Sequence, residues 1–145
     1  MANKIHSLKD LKTFVRQLVK DIKGGAVVAL SGELGSGKTT LTQLIGRELG
    51  VKEKILSPTF VIFKTYPVGK DAIKRLCHID LYRLTDFSHP HGFEEFVGRQ
   101  DVVCFIEWAE KLKNKLPAGA IWIKISVNPD NSRSITKMRQ QDCLI

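Results

Sequence analysis

The chain contains no long apolar run. Its longest uninterrupted stretches, Ala26–Leu30 and Val102–Ile106, fall far short of the roughly 20 residues a helix needs to cross a bilayer. No membrane association is expected. The first twenty residues interleave Lys with apolar side chains and lack the continuous apolar core of a cleaved export signal, so secretion is not expected either. Cysteine is scarce and odd in number. Cys77, Cys104 and Cys143 include no CxxC pair, which gives neither a disulfide framework nor a zinc site and makes a reducing, cytoplasmic setting the expectation. Cys77 and Cys104 sit in or beside apolar runs and read as small buried hydrophobes. Acidic residues are outnumbered, 15 against 23 Lys and Arg, and the net surplus of +8 falls in the first half of the chain. With aromatics at 8% and not interleaved with that charge, the surplus reads first as a Lys-rich solvated face. The functional alternative is a surface for tRNA, another nucleic acid or an acidic protein.

What is present is the composition of one ordinary globular domain over residues 1–145, with 43% apolar and 26% charged residues. Ser7 is placed to cap a helix over about residues 8–23, with Leu8, Leu11, Phe14, Val15, Leu18, Val19 and Ile22 at helical intervals. Gly24 and Gly25 end it. Ala26–Ser31 reads as a buried strand, and a second helix begins near Lys38 and closes at Gly50. Thr59–Tyr66 and Ile73–Ile79 flank a turn rich in Pro, Gly and Asp, which predicts an antiparallel hairpin. Thr85–Gly98 reads as loop with a short helix, Val102–Ile106 as a strand covered on both faces, Glu107–Asn114 as helical, and Ile121–Val127 as the last strand. Residues from Asn128 onward are polar and read as a loosely ordered tail.

Gly32-Glu33-Leu34-Gly35-Ser36-Gly37-Lys38-Thr39 fits G-x-x-x-x-G-K-[ST] between a predicted strand and a predicted helix, the context that a P-loop requires. The glycines let successive N–H groups converge on an anion at the positive end of a helix. Lys38 can reach β- and γ-phosphates and the Thr39 hydroxyl can ligate Mg²⁺. Such a site needs an acidic partner at the end of a buried strand. Glu107 closes the wholly apolar Val102–Ile106 and is the better placed; Asp80 closes the more alternating Ile73–Ile79 and competes with a surface-turn reading. Of the histidines, His89 and His91 read as loop residues and His78 as a strand histidine rather than a catalyst. Trp108 is equally compatible with core packing and with presenting a face to a base or a protein. No N-K-x-D segment follows the P-loop, since Asn114-Lys115 continues into Leu116-Pro117, so adenine is favoured over guanine.

Four segments together resemble the TsaE (formerly YjeE) family, the small P-loop ATPases of bacterial tRNA threonylcarbamoyladenosine biosynthesis. They are Ser31–Thr40 (SGELGSGKTT), Ser57–Phe60 (SPTF), His78–Leu84 (HIDLYRL) and Ile106–Leu112 (IEWAEKL). The resemblance implies an α/β fold of the P-loop NTPase type, three layers around a central mixed, mostly parallel sheet, with one ATP or ADP site. It implies nucleotide contacts from Glu33, Leu34, Gly35, Ser36, Gly37, Lys38, Thr39, Thr40, Thr59 and Arg133. It also implies Mg²⁺ at Thr39, Asp80 and Glu107, with Lys38, Glu107 and Asp80 serving hydrolysis. The implied partners are TsaD and TsaB, with tRNA approached indirectly. Three departures from the family stand out: Glu33 replaces its usual Asp, Leu11 and Val15 replace a Thr and a Gly in the first helix, and Ser88-His89-Pro90-His91 replaces its acidic stretch after DLYRL. Two other functions share the motif, a small-molecule P-loop kinase and a nucleotide-gated binding module whose hydrolysis is incidental.

Overall fold

A computed structural model describes residues 2–58, 60–70 and 72–138. The elements run β1 (Ala2–Ile5), α1 (Leu8–Val19), β2 (Val27–Gly32), α2 (Lys38–Leu49), β3 (Phe63–Lys70), β4 (Ile73–Asp80), β5 (Val102–Glu107), β6 (Ile121–Val127) and β7 (Arg133–Met138). Short 3-10 segments at Phe93–Glu95 and Ala109–Lys115 interrupt the second half. The seven strands form one sheet in the order β1-β7-β6-β2-β5-β4-β3. Its centre, β6-β2-β5-β4, is parallel, and the flanking pairs β3–β4, β6–β7 and β1–β7 are antiparallel. The expected mixed α/β sheet is the one observed, with the parallel pairing confined to its centre.

Because side chains alternate across a strand, the two sheet faces collect different residues. Val28, Leu30, Leu76, Val103, Phe105, Ile123 and Ile125 pack beneath Val15 and Leu18 of α1 and Leu41, Ile45 and Leu49 of α2. On the other face Val27, Ala29, Cys77, Ile79, Cys104, Ile106 and Trp122 pack against Phe93, Ala109, Leu112 and Leu116. The first layer is α-helical, whereas 3-10 segments and the loops around them cover the second. Every residue of β5 is buried, as its unbroken apolar sequence predicts. Cys77 and Cys104 face each other across β4 and β5 as buried free thiols. Their mutual hydrogen bond, then burial, raises the Cys77 pKa, which keeps it an inert core residue. Cys143 lies outside the described residues.

Three expectations change. Helix α1 ends at Val19 rather than near residue 23, because Asp21 and Ile22 bond back to the carbonyls of Leu18 and Val19 and the last turn tightens. That turn delivers Gly24 against the backbone of Gln100, where a Cβ would lie 2.0 Å from the carbonyl oxygen. The hairpin is later in sequence than expected, with Pro67 inside β3. An edge strand accommodates proline because one of its sides needs no ladder donors. The loose tail from Asn128 does not hold through Met138. Residues 133–138 form β7, inserted between β6 and β1, with Ile135 buried in the core. The sequence hides β7 because the segment is mostly polar.

Candidate nucleotide site

The C-terminal ends of β2, β4 and β5 open onto the start of α2, the crevice where parallel α/β sheets hold ligands. Gly37 caps α2 with φ of 112°, a left-handed conformation that favours glycine. Gly32 leaves β2 so close to its neighbours that a Cβ would meet the Ile125 carbonyl oxygen at 2.6 Å and Ser36 Oγ at 2.7 Å. The loop between them wraps around Lys38. The Lys38 ammonium donates to the carbonyls of Gly32 at 2.6 Å and Glu33 at 3.0 Å and lies 4.3 Å from the centre of the Trp108 ring. Burial lowers its pKa, opposed by the carboxylates of Glu107, Glu110 and Asp80.

The acidic wall comes from the register of two neighbouring strands. Asp80 and Glu107 are partners across β4 and β5, so both leave the sheet at the same level and on the same face. The Thr39 hydroxyl donates to the Glu107 carboxylate, 3.0 Å from each oxygen. Asp80 accepts from the Ser57 hydroxyl at 3.2 Å and from the Tyr82 amide at 3.0 Å. Both carboxyl-bearing positions weighed from sequence therefore belong to one site.

A cleft of about 650 Å³ joins these groups, lined by Leu34, Gly35, Gly37, Lys38, Thr39, Thr40, Asp80, Glu107 and Trp108, with Ser57, Pro58 and Phe60–Ile62 on one side and Tyr82–Leu84 on another. Glu33 and Ser36 do not line it. The Glu33 side chain is exposed and its carbonyl serves Lys38, while Ser36 is buried with its hydroxyl unpartnered. Arg133 approaches from β7 and donates Nε–H to the Ser36 carbonyl at 3.2 Å, bracing the loop's backbone. Thr59 lies outside the described residues.

The donor set fits Mg²⁺. This ion takes hard oxygen ligands, keeps several waters and needs only one or two carboxylates beside substrate phosphates. Thr39, Glu107 and Asp80 supply one hydroxyl and two carboxylates at the mouth of the loop. Among the described residues no three His, Cys, Asp or Glu side chains cluster as a self-sufficient metal centre.

Two residues add to the sequence reading. Trp108 has φ of 60°, rare for a bulky side chain, and packs 5.1 Å from the Tyr82 ring. The turn that follows Glu107 thus places an indole at the edge of the core with Lys38 against its ring. His78 is completely buried and its Nε2 contacts Glu107 Oε2. Its signal was the spacing, since a residue two before Asp80 shares its strand face. His89 and His91 pack ring against ring in the exposed loop before Phe93.

Comparison with known proteins gives a consistent set of likenesses. Residues 5–135 match the family described as "Threonylcarbamoyl adenosine biosynthesis protein TsaE". The tRNA threonylcarbamoyladenosine biosynthesis protein TsaE of Bacillus subtilis is 36% identical over 128 residues, 88% of this chain and 78% of that protein. The protein of the same name from Aquifex aeolicus is 32% identical over 138 residues, 94% of each chain. The crystal structure of Bacillus subtilis YdiB superposes with a TM-score of 0.73 at 30% identity, covering 96% of this chain and 84% of that one. Among the described residues no helix is long and apolar enough to cross a membrane.

Proposed function

The chain belongs to the TsaE family, whose role lies in tRNA threonylcarbamoyladenosine biosynthesis, and from that premise we propose that it is a Mg²⁺-dependent ATPase of that modification. It binds ATP and ADP at the P-loop and acts on the TsaD–TsaB complex, in the cytoplasm, without itself transferring the threonylcarbamoyl group. The observation that carries the reading is the contact of Thr39 with Glu107 beside Lys38 at the loop's open end.

In this reading the amides of the Gly35–Lys38 segment and the Lys38 ammonium orient the phosphates and stabilise charge on the β- and γ-oxygens. Thr39, Asp80 and Glu107 hold Mg²⁺, which supplies electrostatic neutralisation of the phosphates. Glu107 or Asp80 can also orient the attacking water. Leu34, Phe60, Val61 and Tyr82 are exposed large hydrophobics around the mouth of the cleft, and a protein covering them would exclude water and raise the rate. That supports slow hydrolysis by the protein alone and stimulation by partners. The basic first half of the chain suits an acidic partner surface or an indirect approach to tRNA.

Calorimetric titration of ATP into wild type and Lys38→Ala tests the site. Tight binding by the wild type and loss of about 10- to 100-fold in the variant is the expected result, the scale of one or two charge-assisted hydrogen bonds. Wild-type affinity in Lys38→Ala would place the nucleotide elsewhere.

A further inference from the structure

Glu107 is 3% exposed, yet its carboxylate must present an oxygen in a fixed direction beside Thr39. A buried carboxylate is held by its donors, and two reach it from different elements. One is the Thr39 hydroxyl from α2. The other is His78 Nε2 from the neighbouring strand β4, reaching Oε2. An ionised carboxylate only accepts, so His78 donates from Nε2. Its other nitrogen, Nδ1, is buried with no hydrogen-bond partner. The contact therefore calls for a proton on Nε2, facing Oε2 of Glu107.

We infer that His78 is a positioning residue for the site: its Nε2–H anchors Oε2 of Glu107 from behind the sheet's open end, so that the carboxylate keeps the rotamer that meets Thr39. His78 is not among the residues that line the cleft, and its side-chain hydrogen bond among the described residues goes to Glu107, through which it acts. The strand register makes this arrangement specific. His78 pairs with Phe105 and Asp80 with Glu107, so one histidine two residues before Asp80 reaches diagonally to the carboxylate at the end of β5. The inference rests on the reading of Glu107 as a residue on the Mg²⁺ side of the nucleotide site. Partners behind a metal ligand typically contribute about 10- to 100-fold to metal affinity by fixing its orientation.

The test compares His78→Phe, which fills the space without a donor, with His78→Gln, which restores an N–H. ATP affinity is measured by calorimetry in EDTA and in Mg²⁺. His78→Phe is expected to match wild type in EDTA and to lose about tenfold of the affinity gained on adding Mg²⁺, and His78→Gln to recover most of it. A wild-type Mg²⁺ gain in His78→Phe overturns the inference. The wild-type protein supplies a second arm that does not depend on the variants folding. Imidazole ¹⁵N spectra are expected to show His78 protonated at Nε2, and a proton on Nδ1 alone overturns the inference. Failure of wild type to gain affinity with Mg²⁺ would contradict the ATPase reading instead, leaving the spectra to decide on His78.

Discussion

The Thr39 hydroxyl lies 3.0 Å from both carboxylate oxygens of Glu107, a residue 68 positions further along the chain. This contact joins the first turn of α2 to the last residue of the most deeply buried strand, so the P-loop and the acidic wall share one rigid reference. Neither residue could hold that geometry on a loop, where the backbone would move relative to the core.

Thr39→Val, nearly isosteric, removes the hydroxyl and leaves Glu107 short of a donor. Loss of a hydrogen bond to a buried charged group costs about 1–3 kcal/mol of stability, read from denaturant unfolding. Calorimetry should show the ATP affinity in EDTA close to wild type and the Mg²⁺-dependent gain largely gone. An unchanged Mg²⁺ gain would remove Thr39 from the metal site.

Trp108 and Trp122 separate the fluorescence of the protein into two environments. Trp122 is fully buried on the face away from α2, while Trp108 lines the cleft 4.3 Å from the Lys38 ammonium. Nucleotide binding should change the emission of the wild type and leave that of Trp108→Phe nearly constant. A full response in Trp108→Phe would mean that the indole does not sense the site.

Glu110 carries a pH dependence of defined sign. Burial raises its carboxyl pKa above the usual 4.5, only partly offset by its own backbone and by Lys38 and Lys111, and Oε2 has no hydrogen-bond partner. The folded state therefore holds this proton more tightly than the unfolded state, and the associated stability is present below pH 4.5 and lost as pH rises through the raised value. Glu110→Gln should melt at a higher temperature than wild type at pH 7 and at nearly the same temperature below pH 4.5. Lower stability of the variant at pH 7 would contradict the sign.

Much of the site could be read from sequence because P-loop chemistry is local. Strand, glycine-rich turn and helix fall within residues 27–49, and the turn's glycines Gly32, Gly35 and Gly37 all take positive φ. Asp80 and Glu107 were legible as candidates at strand ends, but their pairing was not, since it depends on β4 lying beside β5. His78 was underread for the same reason: its partner is 29 residues away and only strand order brings the two together. Strands β1 and β7 escaped because each has few apolar residues and is held by strand pairing, β1 by β7 and β7 by both β6 and β1.

That pairing makes the last described segment part of the fold. Ile135 is 2% exposed on β7, and Ile135→Ala should cost about 2–5 kcal/mol, the range for a large-to-small change in a core. Denaturant unfolding would show it. A loss under about 0.5 kcal/mol, typical of surface positions, would mean that β7 packs loosely.

The most direct measurement is phosphate release from ATP with Mg²⁺, by the purified protein alone and then with the TsaD–TsaB complex. The account predicts a slow basal rate that rises on addition of the complex and is abolished by Lys38→Ala in both settings. Tight nucleotide binding with no hydrolysis under either condition, or transfer of the phosphoryl group to a small-molecule acceptor, would contradict it.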